Sequence, residues 1–132
     1  MAETNDPGAL TQQFHKTTIE LALLAEELTN KIKTIKAWYN QDHQLTKAAA
    51  ETHLEHVNSL IDKYSDRYFK FRTLAFLRKL TESEKIKVAE VKGEHEALST
   101  DGLECVMWLK QQMEDACERE RESVRERVCE RV

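Results

Sequence analysis

Apolar residues recur at helical spacing along most of this chain. Phe14, Leu21, Leu28 and Ile35 stand seven apart, and Thr18, Leu24, Ile32 and Trp38/Tyr39 fill positions between them. A repeat of this kind is a seam for packing one helix on another, and it predicts a first helix over about 8–40. The second seam is more regular. Ala50, Leu54, Val57, Ile61, Tyr64, Tyr68, Phe71 and Ala75 alternate steps of four and three without a skip. They predict a second helix over about 44–92. A weaker stripe of Leu103, Val106/Met107, Met113, Cys117, Val124 and Val128 is interrupted by Lys110 and Glu120, and it predicts a third helix over about 103–130.

Backbone breakers are nearly absent. Pro7 is the single proline, and no glycine falls between Gly8 and Gly93. Hairpins and α/β crossovers need residues that take positive φ or fix a tight bend, so the pattern is all-α. Residues 1–7 read as a flexible N-terminus, with Asp6-Pro7 a cap and first helical residue. The polar run Asn40–Gln44 is the best candidate for a turn or a kink between the first two helices, although without glycine or proline it also fits continuous helix. Ser99-Thr100-Asp101-Gly102 reads as a second turn. Thr81-Glu82-Ser83-Glu84 matches a capping box, yet it also fits an unbroken helix. The expected architecture is a set of long antiparallel helices, forming a hairpin, a three-helix bundle or a coiled coil. Helices of these predicted spans would be about 50 and 73 Å long. They match poorly, which favours self-association or a partner.

The charge is unevenly placed. Residues 1–62 carry 5 basic and 9 acidic side chains, residues 63–92 carry 9 and 4, and residues 93–132 carry 6 and 11. A basic middle between acidic flanks is complementary if the chain folds back on itself, or presents a basic face to an acidic partner. The formal net charge of −4 argues against a general nucleic-acid binder. No apolar run approaches a membrane span, and residues 1–15 lack the basic start and apolar core of a secretory signal. Three cysteines cannot all pair within one chain, which fits a reducing compartment and an intracellular protein of the cytoplasm or nucleus.

Chemistry-bearing motifs are sparse. Cys105, Cys117 and Cys129 are each twelve residues apart, which on a helix turns successive thiols by about 120° and separates them by about 18 Å. They cannot share one metal ion. His53 and His56 stand one turn apart, but neither the Glu-x-x-His pair of di-iron bundles nor the His-Glu-x-x-His of zinc proteases occurs. No cofactor or metal is expected, and no nucleophile has a recognisable setting. A helical-bundle enzyme or metal-binding protein stands last among the functional alternatives.

The most distinctive stretch is Lys63 to Leu80, where aromatics interleave with cations. Tyr64, Tyr68 and Phe71 lie on the second seam, whereas Phe69 and Phe76 fall about 120–140° round the helix from it. From Tyr68 to Leu80 the helix is apolar on nearly every side, so neighbours are expected on more than one side. Tyr64, Tyr68, Phe69, Phe71, Arg72, Phe76 and Leu80 are therefore the candidate protein-interaction residues. The covering element for Phe69 and Phe76 is expected to be a third helix or, preferentially, another chain. The expected function is a non-enzymatic helical scaffold or adaptor subunit, acting through a protein partner, self-association or both. The alternative is nucleic-acid binding through the basic-aromatic face of residues 63–79.

Overall fold

The computed structural model describes residues 7–131, with side chains described over 8–126. The expected flexible N-terminus and its Asp6 cap lie outside the described residues, apart from Pro7, which opens the first helix. Three helices follow: α1 (Pro7–Asn40), α2 (Lys47–Leu77) and α3 (Glu82–Arg131). Each packs on the other two, and the fold is an all-α helical bundle. Phe14 of α1 stacks on Phe71 of α2 at 5.2 Å, and Lys31 meets His53 at 2.8 Å, so these helices are antiparallel. Tyr68 stacks on His95 while Gly102 lies against Ile61, so α3 is antiparallel to α2 and parallel to α1.

The seams of α1 and α2 become the core. Phe14, Leu21, Leu28 and Ile35 are all buried, joined by Thr17, Ala25 and Ile32. In α2 the row Ala50, Val57, Tyr64, Phe71 faces the centre. Two half-exposed or buried rows flank it. His53, Leu60, Arg67 and Leu74 turn toward α1, where Arg67 pairs with Glu20 at 2.7 Å. Leu54, Ile61, Tyr68 and Ala75 turn toward α3 and are partly buried against the core.

The two connections between helices are made without glycine or proline. α1 closes in a Schellman arrangement: the His43 amide donates to the Trp38 carbonyl at 2.9 Å and the Asp42 amide to Tyr39 at 3.2 Å. Asp42 occupies the left-handed position, φ 51°, which its short polar side chain tolerates better than most. Thr46 then caps α2, its hydroxyl accepting from the Ala49 amide at 3.1 Å. α3 secures this turn, because Gln112 accepts from the Leu45 amide and Arg119 donates to the Leu45 carbonyl.

Two expected boundaries are corrected. The second helix does not run to 92. It stops at Leu77, with Arg78 extended, and residues 82–92 open α3 instead. The capping box is formed: Thr81 Oγ1 accepts from the Glu84 amide at 3.2 Å, and Glu84 accepts from the Thr81 amide at 3.0 Å. Arg78 fastens this corner. Its guanidinium donates to Glu84 and to Thr11 Oγ1 and lies 4.9 Å above the Phe14 ring. The second correction is the turn at 99–102, which is continuous helix. Thr100 returns its hydroxyl to the Glu96 carbonyl, Asp101 pairs with Lys36 at 3.0 Å, and Gly102 is buried where a side chain would meet Ile61. The turn-like residues are thus used for contacts within and between helices.

The third helix also packs through a row other than the expected one. Val91, His95, Leu98, Gly102, Cys105, Leu109, Gln112 and Ala116 alternate steps of four and three and face inward. Of the expected stripe, Val106 and Met113 are partly buried against the core, Leu103, Met107 and Val124 are exposed, and Val128 lies outside the described side chains. At 50 residues α3 is about 75 Å long, against about 51 Å for the 34 residues of α1. Among the described side chains, which reach 126, its last buried residue is Ala116 and its last hydrogen bond to the rest of the bundle is from Arg119. Among the described residues no helix is long and apolar enough to cross a membrane.

Candidate interaction surface

The seven predicted residues separate into three groups. Tyr64 and Phe71, 2% and 0% exposed, belong to the core of this chain. Phe71 stacks on Phe14, and Tyr64 sits beside Tyr68 and His95, with ring centroids 6.4 and 5.6 Å away. Burial raises the Tyr64 hydroxyl well above its ordinary range. Tyr68 and Leu80 are half-buried, and Tyr68 lies flat on His95 at 3.7 Å. Phe69, Arg72 and Phe76 are exposed.

Phe69 and Phe76 define the open face. They are 74% and 88% exposed, and Leu77 beside them is also exposed. On helical geometry they stand about 140–160° round α2 from Phe71, almost opposite the core. The expectation that a third helix covers them is not met, since α3 lies along the Leu54/Ile61/Tyr68/Ala75 row. The sequence position of these two rings, off the seam and seven apart, was the signal that located this face. Ile86 of α3, 61% exposed, escaped notice because residues 82–92 read as a continuation of α2.

Cations border the rings. Lys70, Arg72 and Lys79 are exposed and have no ion pair among the described residues. Arg67 and Arg78, from the same basic stretch, are held by Glu20 and Glu84. The Arg78 hydrogen bond, aided by the Thr81 amide, holds the Glu84 carboxyl down at about 2. These two arginines therefore serve the fold, and the other three cations face outward.

A second concavity lies between α1 and α3, with a volume near 650 Å³ and a lining of Ile35, Lys36, Tyr39, Asn40, Glu104, Cys105, Met107 and Trp108. Tyr39 and Trp108 meet edge-on across it at 6.2 Å. Burial pushes the Cys105 thiol up, which disfavours the thiolate nucleophile, and Lys36 is engaged with Asp101. Of the two histidines considered for chemistry, His56 is exposed and His53 is engaged in packing. His53 accepts from Lys31 and meets the Trp38 ring at 4.7 Å. Among the described residues no group of three or more His, Cys, Asp or Glu is placed to hold a metal ion. Comparison with protein-family models, with curated proteins and with solved structures gives no match.

Proposed function

We propose that this chain is a non-enzymatic helical scaffold or adaptor subunit of an intracellular assembly, in the cytoplasm or nucleus, that works by helix–helix contact with a protein partner or a second copy. The observation that carries this is the exposure of Phe69 and Phe76 on the outer face of α2. Large apolar side chains placed one heptad apart on an outer helix face are what a docking helix engages, and aromatics dominate the energetics of such contacts. Burial of Tyr64 and Phe71 also removes two of the rings that a nucleic-acid surface over residues 63–79 would need for stacking.

The double substitution Phe69→Ser/Phe76→Ser tests this. Tagged wild-type and variant chains are purified from source cells at matched expression, and their native mass is measured by light scattering. The wild type is expected to carry an additional chain that the variant loses, with the helical circular dichroism unchanged. Equal mass, equal co-purifying chains and equal melting would place the interface elsewhere.

A further inference from the structure

The α2–α3 groove beside the exposed rings carries cations on both rims. On α2, Arg72 stands between the α3-facing row of Tyr68 and Ala75 and the outer row of Phe69 and Phe76, and Lys79 follows in the connection after Leu77. On α3, Lys85 and Lys92 stand in the equivalent place, just outside the inward row of Val88 and His95. The register is fixed by Tyr68 on His95 and Ile61 against Gly102. It sets Arg72 level with Lys92, and Lys85 lies one heptad nearer the α2–α3 corner that carries Lys79. All four are exposed, and only Lys85 has an ion pair, with exposed Glu82 at 3.3 Å. Like charges are thus opposed across a groove whose half-buried floor includes Tyr68 and His95. That arrangement is unfavourable by itself and becomes favourable when carboxylates lie between the rims.

Resting on the docking face proposed above, we infer that this groove takes a short acidic amphipathic helix of a partner protein, its carboxylates between the rims and its apolar residues on Phe69 and Phe76. Two observations select this occupant. The rings are one heptad apart, a rise of about 10.5 Å, which matches the repeat of apolar residues along an opposing helix. The basic zone is also short. Over the next two turns toward the Ile61 end neither rim carries a further cation: Ser65 follows on α2, and Glu96 and Ser99 on α3. A long polyanion continuing past the rims finds Glu96 and no cation over that length, whereas a segment of about three turns ends before it. A second copy docking here through the same face would set cation against cation.

Selection from a displayed library of helical peptides on the immobilised full-length chain tests the inference, with Phe69→Ser/Phe76→Ser as counter-selection. Enriched peptides should carry apolar residues at i, i+3 or i+4 and i+7, with Asp and Glu well in excess of Lys and Arg. Synthesised, they should bind the exposed-site variant Arg72→Glu/Lys92→Glu about tenfold or more weakly, and weaken as salt is raised. The milder Arg72→Gln/Lys92→Gln, checked for helical content, guards against misfolding. Peptides that need Phe69 and Phe76 but show no acidic bias, or are indifferent to the charge variants, overturn the acidic partner and leave the docking face standing. Peptides that bind the counter-selection variant equally, or no enrichment at all, overturn both. Tighter binding of an oligothymidine 20-mer, or of phosphatidylserine vesicles, than of any selected peptide also overturns the inference.

Discussion

Glycines 93 and 102 both lie inside α3, and their surroundings make opposite demands on a substitution. Around Gly93 an added Cβ meets nothing within 4 Å. Gly93→Ala therefore only removes backbone freedom from the unfolded chain and raises helix propensity, a gain of about 0.5–1 kcal/mol. For a chain of this size that is a rise in melting temperature of about 2–5 °C. At Gly102 the same gain is opposed by the Ile61 side chain, whose Cδ1 would lie 3.2 Å and Cγ1 3.5 Å from the new methyl. Ile61 is half-buried and can yield a few tenths of an ångström, so Gly102→Ala should fall within about 0.5 kcal/mol of the parent. Ile61→Val removes Cδ1 at a cost of about 0.5–1.5 kcal/mol. In that background Gly102→Ala should become stabilising, a coupling that a double-mutant cycle by thermal melting reads directly. A loss above about 1 kcal/mol for Gly102→Ala, equal in both backgrounds, would refute this reasoning. It would mean that residue 102 takes a left-handed conformation, as in the turn its sequence suggests.

Four further outcomes follow from the packing. Phe71→Ala should cost about 3–5 kcal/mol because its ring is fully buried on Phe14, whereas Phe69→Ser/Phe76→Ser should leave the denaturant midpoint nearly unchanged. His95 has a buried Nδ1 without a hydrogen-bond partner, and burial lowers its pKa below 6.5; His53 is lowered likewise by burial and by the Lys31 charge. The unfolded chain then takes up these protons first, so stability is level above about pH 6.5 and falls as pH drops below it, a fall that His95→Phe should reduce in melts taken across pH 5–8. Residues 121–126 are all exposed, so Arg121→Ala/Val124→Ala should leave the melting temperature unchanged. In a Cys129→Ser background a thiol reagent should label Cys117 in the native protein and Cys105 only on unfolding, since Cys105 is buried and its thiol is held protonated.

Helix content and the seams of α1 and α2 were legible because they rest on large apolar residues. Phe14, Leu21, Leu28, Ile35, Val57 and Phe71 announce burial by type as well as by spacing, and each is buried. The inward row of α3 was not legible. It is built from His95, Gly102, Cys105 and Gln112 alongside Val91, Leu98, Leu109 and Ala116, so its regular four-three spacing is hidden by residues that do not read as core. Gly102 is there for close approach to Ile61, and Gln112 to hold the Leu45 amide, demands set by neighbours distant in sequence. The Leu103/Met107/Val124 stripe stood out for its apolar types and nevertheless faces away from the bundle. The α2–α3 corner was ambiguous for a related reason. Its capping box could be read either way until Arg78 is seen joining Glu84, Thr11 and the Phe14 ring. The open face was legible only in part: Phe69 and Phe76 were singled out, but Tyr64 and Phe71 joined them from the same run because composition cannot tell a core ring from a surface ring.

Site-specific photocrosslinking from residue 76 tests the proposed docking face most directly. A photoreactive phenylalanine replaces Phe76 in one sample and Ile19 in another, and both are irradiated in source cells. Ile19 is also well exposed, at 63%, but lies on the outer side of α1. A discrete protein adduct is predicted from position 76, absent from position 19 and lost when Phe69 is changed to serine. Identical adducts from both positions, no adduct from position 76, or a nucleic-acid adduct there would contradict it.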